Sequence, residues 1–262
     1  MTVNLEVSPG ERLTLEYTPE EREVLSRLDM DRIPRHVACI MDGNGRWAKA
    51  RLKERVFGHQ TARATVREVV ETCRDIGIEF LTLYTFSSEN WRRPAHEVTA
   101  LMRLLAKTMI EEREDLHRNG IRLRLLGDPT PLPPDVSREI SISERLMASN
   151  RGMVLNLAIN YGARQDMVRA IREIVRDASE GKLSPEQIDE SLVSNRLSTA
   201  GMPDPELLIR SAGEYRISNF LLWEIAYTEI YVTDKFWPEF TRQDLMEAII
   251  EFQGRHRKFG GL

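Results

Sequence analysis

The sequence has few cysteines and no long apolar run, and each absence excludes a class of protein. Only Cys39 and Cys73 occur among 262 residues. Two thiols exclude a disulfide framework and a cysteine-rich zinc site, and they fit a reducing compartment. No apolar run approaches the roughly 18 residues of a membrane-spanning helix, and the first residues lack the segments of a signal peptide. We therefore expect a cytoplasmic protein.

The chain also lacks an excess of positive charge. Lysine and arginine number 37 against 41 acidic residues, and the net charge is −4. A protein that coats nucleic acid carries a basic surface, so we expect no nucleic-acid partner. Any site for an anion must instead be a local cluster of cations.

Short apolar segments alternate with helical patterns along most of the chain. The apolar segments are predicted strands at 35–41, 78–86, 121–127, 153–160 and 205–210. The predicted helices span 18–30, 61–77, 96–118, 135–149, 163–181, 184–197 and 241–259. This alternation predicts an α/β fold in which helices flank a mainly parallel sheet. We expect residues 1–30 to form an extension with a short helix, mobile over 1–19, and residues 31–262 to form a single domain.

Ligands of such sheets bind at the carboxyl ends of the strands. The loops predicted there are 42–46, 87–93, 160–164 and 210–218, and three of the four place arginine beside small or hydroxyl residues. These loops are therefore the candidates for a binding site.

The first of these loops belongs to the segment "CIMDGNGRWAKARLKERVFGH", residues 39–59. Its "GNGRWA" matches the glycine pattern of dinucleotide-binding loops. That interpretation is disfavoured because Asp42 would face the pyrophosphate, and because the strand at 78–86 ends without the acidic residue that holds a ribose. The basic residues after position 48 also have a simpler interpretation as the solvated face of a helix.

A diphosphate site with Mg²⁺ explains the same segment better. Glycines that bring backbone N–H groups close to a ligand, beside arginine, form a phosphate cradle. An aspartate in that cradle repels phosphate unless a divalent cation lies between them, and Mg²⁺ takes one or two carboxylates together with phosphate oxygens.

The segment "RSAGEYRISN" is a second cluster, with Arg210, Arg216 and Ser218. Guanidinium groups bind phosphate bidentately, so this loop suits a second phosphate group. A surface loop in which Glu214 pairs with an arginine is the alternative. Glu229, in the apolar run that follows, is either a solvent-exposed acid or a buried ligand.

Several long motifs resemble the cis-prenyltransferases, with the bacterial undecaprenyl diphosphate synthases as the most similar type. They are "HVACIMDGNGRWAKAR", "LTLYTFSSENWRRP", "NLAINYGAR", "LIRSAGEYRISNFLLWEIAYTEIYVTD" and "WPEF". The resemblance runs from about residue 32 to 261. It implies a six-stranded, mostly parallel sheet, a homodimer and Mg²⁺. The Asp-rich motif of trans-prenyltransferases is missing, as the family requires.

The resemblance also assigns roles to residues. Asp42 corresponds to an essential aspartate for Mg²⁺ and diphosphate, and Glu229 to a second acid linked to Mg²⁺ that can come from the partner subunit. Catalytic roles fall on Asp42 and Asn90, and Asn44 is positioned like an asparagine linked to proton removal. The substrate-binding positions are Gly43, Asn44, Gly45, Arg46, Trp47, Arg55, His59, Ser87, Glu89, Trp91, Arg93, Arg210, Arg216 and Ser218. Core packing of Trp91, and a histidine without a role at His59, remain alternatives.

The implied reaction extends an allylic diphosphate, usually farnesyl diphosphate, by repeated cis condensation with isopentenyl diphosphate. We expect a long-chain product, undecaprenyl diphosphate for a cell-wall lipid carrier, with a shorter or medium-length product as the alternative. A non-catalytic relative and a nucleotide-dependent enzyme are more remote alternatives. The product needs an apolar tunnel, and a lipid product leads us to expect peripheral membrane contact. The tunnel candidates, which could equally be core residues, are Leu81, Leu83, Thr85, Leu101, Leu104, Leu105, Leu155 and Leu157.

Overall fold

A parallel sheet organises residues 15–255, the part of the chain that this computed structural model describes. Its six strands are β1 (His36–Ile40), β2 (Phe80–Ser87), β3 (Arg122–Leu126), β4 (Val154–Tyr161), β5 (Leu207–Arg210) and β6 (Glu229–Val232). Their order is β3-β4-β2-β1-β5-β6, and each neighbouring pair is parallel. The predicted α/β fold with a parallel sheet is therefore confirmed.

Five of the six strands coincide with segments predicted from the apolar pattern. The strand that the pattern did not place is β6, which pairs with β5 at the edge of the sheet. Its four residues are only partly buried, and Ile230 is 45% exposed. Because a short edge strand lacks a buried apolar run, the pattern alone could not mark it.

Eight helices occur in residues 15–255. They are α1 (Pro19–Leu25), α2 (Asn44–Ala50), α3 (Arg55–Asp75), α4 (Ala95–Arg118), α5 (Pro134–Met147), α6 (Ala163–Ser179), α7 (Glu190–Ser194) and α8 (Arg242–Gly254). Residues 256–259 of the last predicted helix lie outside the described residues.

The helices differ from the predictions most clearly at three places. α3 begins six residues before the predicted start, and α2 begins inside the predicted glycine turn. The single helix predicted over 184–197 is wrong, because the segment contains a 3-10 turn at Pro185–Gln187 and then α7. The Asp189 carboxylate accepts a hydrogen bond from the Leu192 N–H at 2.7 Å. This cap starts a new helix and interrupts the earlier one.

Apolar side chains cover both faces of the sheet. On one face Leu81, Leu83 and Leu155 pack in a core that includes Val70 of α3 and Met102 of α4. On the other face a smaller core contains residues of β1, β4 and β5 with Ala163 of α6 and Phe220. The helices α3 and α4 thus lie on the same side of the sheet.

The segment before β1 belongs in part to the core. Tyr17 is 7% exposed, and its hydroxyl donates to the Asp75 carboxylate at 2.9 Å. The predicted short helix is present as α1, with Thr18 and Glu21 forming a capping box. The predicted mobile extension is therefore wrong for residues 15–19, and residues 1–14 lie outside the described part. No helix within 15–255 combines the length and apolar character needed to cross a bilayer.

Candidate active site

The chain turns sharply where β1 ends, and the turn fixes the carboxylate of Asp42. Gly43 has a φ of 95°, and a Cβ there would lie 2.5 Å from the Phe236 ring. Only glycine combines this backbone conformation with so close a neighbour. The Gly43 N–H donates to Asp42 Oδ1 at 2.6 Å. The carboxylate is therefore held at the carboxyl end of β1, directly before α2.

An ion pair joins the two clusters that the sequence singled out. Arg210 Nη2 lies 2.9 Å from Asp42 Oδ2, and the Arg210 side chain is 4% exposed. Arg210 Nη1 also donates to Ser218 Oγ at 2.9 Å and to the carbonyl of Arg216. Burial by itself raises the pKa of Asp42, but the hydrogen bond from Arg210, the Gly43 N–H and the charges of Arg210 and Arg46 outweigh it. The pKa of Asp42 therefore lies below its usual value, and the carboxylate is ionised at neutral pH.

Two further arginines share the carboxylate of Glu214. Arg46 Nη1 lies 3.0 Å from Glu214 Oε1, and its Nη2 lies 3.4 Å from Asp42 Oδ2. Arg216 also pairs with Glu214. The pairing of Glu214 with an arginine, which was the alternative predicted from the sequence, therefore occurs. Arg46, Arg210 and Arg216 thus converge around two carboxylates, and their guanidinium groups supply the donors that bind phosphate.

A buried glutamate of α4 holds two more predicted site arginines. Glu97 is 5% exposed, Arg55 Nε lies 3.2 Å from its Oε2, and Arg93 Nη1 lies 2.9 Å from its Oε1. Burial raises the pKa of Glu97, but the charges and hydrogen bonds of both arginines lower it below its usual value. The sequence prediction missed Glu97. Its one signal was the spacing of four residues from Arg93, which allows an ion pair on a helix.

A cavity opens at this end of the sheet, and both His59 and Arg93 line it. The His59 side chain is neutral at pH 7. Burial lowers its pKa, the nearby positive charge of Arg93 lowers it further, and the result is about 4. A neutral imidazole can donate one hydrogen bond and accept another. His59 is thus suited to contact an anion as a hydrogen-bonding group and not as a cation.

The loop after β2 contributes Asn90, Trp91 and Glu89. Asn90 Oδ1 accepts the Ser87 N–H at 3.1 Å and closes a 3-10 turn over Ser88–Arg92. Trp91 donates to Asn160 Oδ1 at 2.8 Å, and its ring packs edge-on against Phe86. Glu89 accepts from Asn219 at 2.8 Å. These contacts fix the loop, and Trp91 packs against the core.

The start of α2 places its side chains on two sides. Asn44 is 8% exposed and faces the cavity, its Nδ2 donates to the Met41 carbonyl at 3.1 Å, and its Oδ1 accepts no hydrogen bond from the described residues. Gly45 packs against Arg55. Trp47 instead donates to Glu239 at 3.1 Å and stacks on Phe57. The structure therefore brings Asn44, but not Trp47, to the cavity.

The structure does not bring Glu229 to Asp42 within one chain. Glu229 is the first residue of β6 and pairs in register with Leu207, which is level with Val37 of β1. Asp42 follows Val37 by five residues, which is about 16 Å along a strand at roughly 3.3 Å per residue. The Glu229 carboxylate pairs instead with Arg255 at 2.9 Å.

A cavity of about 480 Å³ connects this charged region with the apolar face of the sheet. Nine of the predicted site residues line its mouth: Asp42, Asn44, His59, Ser87, Asn90, Arg93, Arg210, Arg216 and Ser218. The predicted tunnel residues that line it are Leu83, Thr85, Leu101, Leu104, Leu105, Leu155 and Leu157. Leu81 is not among the lining residues, because it is fully buried in the core beneath them. The site is thus a polar mouth on an apolar cavity.

The donor set at the mouth limits what kind of metal could bind. Residues 15–255 contain no group of three His, Cys, Asp or Glu side chains that could enclose a metal ion. The Asp42 carboxylate and the unpartnered Asn44 oxygen are hard oxygen ligands among cations. They fit Mg²⁺ that takes its other ligands from phosphate and water, and they do not fit a metal held by protein alone.

Comparison with known proteins agrees with this geometry. Residues 40–260 match the family model described as "Putative undecaprenyl diphosphate synthase". An isoprenyl transferase of Heliobacterium mobile is 49% identical over 93% of this chain and 94% of its own. A Vibrio cholerae ditrans,polycis-undecaprenyl-diphosphate synthase, named as (2E,6E)-farnesyl-diphosphate specific, is 47% identical over 89% of this chain and 93% of its own.

A solved structure shows the same fold. Lavandulyl diphosphate synthase from Lavandula x intermedia, in complex with dimethylallyl diphosphate, superposes with a TM-score of 0.86 and 37% identity. The match covers 88% of this chain and all of that one. Because the family model spans most of the sequence and the relatives align nearly end to end, the chain belongs to the cis-prenyltransferase family of undecaprenyl diphosphate synthases.

Proposed function

We propose that this protein is a Mg²⁺-dependent prenyltransferase that adds isopentenyl diphosphate repeatedly, in cis geometry, to an allylic diphosphate. The observation that carries the proposal is the junction of the arginine-rich mouth with the apolar cavity. The arginine-rich mouth suits the diphosphate groups, and the apolar cavity suits a growing hydrocarbon chain. We infer that farnesyl diphosphate is the primer and undecaprenyl diphosphate, a lipid-carrier precursor, the product.

Two phosphate-binding regions support the use of two diphosphate substrates. We assign the allylic diphosphate to the turn at 43–46 with Arg55 and His59, and isopentenyl diphosphate to Arg210, Arg216 and Ser218. Arg210, which donates a hydrogen bond to Ser218, also pairs with Asp42 directly before the turn, and this ion pair brings the two regions together. Two substrates held side by side react as if their concentrations were greatly raised.

Asp42 is the residue we assign to Mg²⁺, with oxygen atoms of the substrate completing the coordination. When bound, Mg²⁺ supplies positive charge that stabilises the leaving diphosphate. The protein adds its own stabilisation, because Arg46 and Arg210 stand beside Asp42 in a partly buried site where charges interact strongly. Trp47, Glu89 and Trp91 remain predicted contributors that act by positioning the loops around the substrates.

The remaining steps fall to neutral groups at the mouth. Departure of diphosphate gives an allylic cation, and the isopentenyl double bond attacks it to form the new carbon–carbon bond. The cation that results loses a proton to the released diphosphate, whose oxygen atoms are the base that the reaction supplies. Asn44 carries a buried oxygen with an open acceptor position, and Asn90 lines the cavity nearby. We assign these two amides to holding the reacting groups and the departing proton by hydrogen bonds.

The proposal includes a second subunit and a membrane. Glu229 cannot reach Asp42 in its own chain, so its predicted role with Mg²⁺ requires a homodimer whose partner supplies it. A polyprenyl product is insoluble in water, so the protein is expected to contact a membrane peripherally when it releases the product.

Incubation with farnesyl diphosphate, radiolabelled isopentenyl diphosphate and MgCl₂, followed by sizing of the extracted products, tests the function. Asp42→Ala is expected to lower turnover at least 100-fold, about 2.7 kcal/mol in the barrier, while thermal unfolding stays cooperative. Asp135→Ala, an exposed aspartate of α5, is the matched control and should behave as wild type. Wild-type turnover by the Asp42 variant contradicts the role of Asp42, and the absence of any elongated product from the wild type contradicts the function.

A shorter product is the second candidate. The likeness to lavandulyl diphosphate synthase shows that this fold also occurs in a protein crystallised with the small allylic substrate dimethylallyl diphosphate. The same product sizing decides between them, and a run with dimethylallyl diphosphate as primer shows which substrate is preferred.

A further inference from the structure

Asn219 joins three segments at the carboxyl ends of the strands by hydrogen bonds. Its Nδ2 donates to Glu89 Oε1 at 2.8 Å, in the turn after β2, and to Gln165 Oε1 at 3.0 Å, in the first turn of α6. Its Oδ1 accepts the Arg164 N–H at 2.9 Å, and its carbonyl oxygen accepts the Ala163 N–H at 2.8 Å. The amide nitrogen and the amide oxygen of the side chain are therefore both used. We name this group of contacts the Asn219 junction.

The junction closes the start of α6, which has no cap from its own segment. The residue before the helix is Gly162, which has no side chain, and the first N–H groups of a helix lack partners within it. A Cβ on Gly162 would lie 2.6 Å from Asn219 Nδ2, so only glycine leaves room for the amide. Asn219 supplies the acceptors for these N–H groups from a distant part of the chain. This fixes the orientation of its amide, with the oxygen toward α6 and the nitrogen toward Glu89.

The backbone at Asn219 is held in an uncommon conformation. Ser218 and Asn219 have φ angles of 50° and 62°, in the left-handed region that residues with a side chain rarely occupy. Such strain persists only where surrounding contacts determine the conformation. On one side the Tyr84 hydroxyl donates to the Ser218 carbonyl at 3.2 Å, and on the other the junction holds Asn219. A change at Asn219 is therefore transmitted to Ser218.

The junction connects two parts of the site that have different roles in the proposed function. Ser218 directly precedes Asn219 and accepts a hydrogen bond from Arg210 at 2.9 Å, in the region assigned to isopentenyl diphosphate. Glu89 directly precedes Asn90, which lines the cavity mouth. The bond from Asn219 to Glu89 thus joins the isopentenyl diphosphate region to the turn that carries Asn90.

This bond is of the strong kind. Burial raises the pKa of Glu89, but the hydrogen bond from Asn219 and further hydrogen bonds outweigh it and bring the pKa below its usual value. Glu89 is therefore ionised at neutral pH. A hydrogen bond accepted by a carboxylate is shorter and stronger than one between neutral groups.

We propose that Asn219 is a positioning residue that sets the place of isopentenyl diphosphate relative to Asn90, by holding the loop at 210–218 against the turn after β2. This inference rests on the proposed function. Asn219 acts through Ser218 and Glu89 and does not itself contact the reacting atoms. Without its bond to Glu89 the two segments move independently, and a displacement of about 1 Å in a positioned group can cost about 100-fold in rate.

An isosteric exchange tests the bond to Glu89 without removing the cap of α6. Asn219→Asp keeps the oxygen that accepts the Arg164 N–H, and a negative charge is favourable at a helix N-terminus, so the fold should be retained. The exchange places a carboxylate oxygen where the donor to Glu89 stood, and the two like charges repel each other. Addition of Glu89→Gln restores the bond in the opposite direction, because the glutamine amide can donate to the aspartate.

Steady-state kinetics with farnesyl diphosphate and isopentenyl diphosphate measure the effect, and urea unfolding checks the fold. Asn219→Asp is expected to lower kcat/KM for isopentenyl diphosphate roughly 10- to 100-fold, as for the loss of a hydrogen bond to a charged group, with the KM for farnesyl diphosphate unchanged. The double variant should exceed Asn219→Asp by roughly three- to tenfold, and Glu89→Gln alone completes the double-mutant cycle. Asn195→Asp is the matched control, because it makes the same exchange at an exposed position after α7 and should keep wild-type kinetics.

Separate outcomes overturn the inference and the function. If Asn219→Asp has the wild-type kcat/KM, or if the double variant is no more active than Asn219→Asp, the bond to Glu89 does not position the substrate. If Asn219→Asp loses cooperative unfolding, or if Asn195→Asp shows the same loss of activity, the effect belongs to the fold or to the added charge and the inference is equally overturned. If the wild type makes no elongated product, the proposed function itself is wrong.

Discussion

Replacing Gly58 by alanine should separate the two helices that carry the first phosphate-binding region. Gly58 lies in the first turns of α3, and a Cβ at this position would lie 1.9 Å from the carbonyl oxygen of Asn44 in α2. Ordinary contacts with a Cβ begin at 3.4 Å. The atom in the way is backbone, so the clash cannot be relieved by a side-chain rotation. The two helices must therefore move apart by about 1.5 Å.

The expected cost has two opposing parts. Overpacking of a well-packed contact typically costs about 1–3 kcal/mol. Alanine gains about 0.5–1 kcal/mol over glycine within a helix, because it loses less backbone entropy. We expect a net loss of about 1–2 kcal/mol in unfolding free energy. Activity should fall more, since a displacement of about 1 Å in a positioned group can cost about 100-fold in rate.

Urea unfolding and steady-state kinetics with farnesyl diphosphate measure the two effects. Gly254→Ala is the matched control, because a Cβ at this helical position of α8 meets no atom within 4 Å. It should keep wild-type activity with equal or slightly higher stability. A Gly58→Ala variant with the stability and kcat/KM of the wild type would refute this account of the α2–α3 contact.

Two further substitutions test the buried charges. Glu97→Gln removes the shared counter-ion of Arg55 and Arg93, and we expect kcat/KM for the allylic diphosphate to fall about tenfold, or about 1.4 kcal/mol. Steady-state kinetics that give the wild-type kcat/KM contradict this role. His36 is 1% exposed, and burial lowers its pKa to about 4 from 6.5. In the unfolded chain His36 takes up a proton below pH 6.5, whereas in the folded protein it does so only near pH 4. The neutral, buried His36 therefore makes its full contribution to the free energy of unfolding above pH 6.5. This contribution should decline by about 3 kcal/mol in total as the pH falls to 4. Urea unfolding at pH 7 and pH 4.5 measures this effect, and His36→Gln should lose this part of the acid sensitivity. An equal change in unfolding free energy between the two pH values for wild type and variant would disprove the assignment.

The fold was predictable where burial leaves a pattern in the sequence. Strands β1 to β5 have buried apolar runs, and α4 and α6 have the spacing of helices with one buried face. Where burial is partial or the backbone is special, the pattern failed. β6 is short and half exposed, and α2 is preceded by a capping glycine, Gly43, with positive φ. These features depend on neighbours that are distant in sequence.

The same division applies to the site. Asp42 and Arg210 were each predicted as site residues because both end strands of a parallel sheet, and the structure joins them in an ion pair. Glu97 was missed because a charged residue near the start of a helix is usually solvated. Its burial follows from the approach of α3, which no local pattern records. The separation of Glu229 from Asp42 likewise follows from strand register, which the sequence does not display.

The pairing of the site arginines determines how far away a substrate is sensed. Three carboxylates, Asp42, Glu97 and Glu214, stand among five guanidinium groups at the mouth. These five cations and three anions leave a net charge of +2 around the mouth, whereas the protein as a whole carries −4. Salt limits the reach of this local charge to roughly a Debye length, about 8 Å at physiological ionic strength. A diphosphate is therefore attracted only over that short distance, and a higher ionic strength should slow its capture. Discrimination between substrates takes place after contact, when the guanidinium groups exchange carboxylate for phosphate.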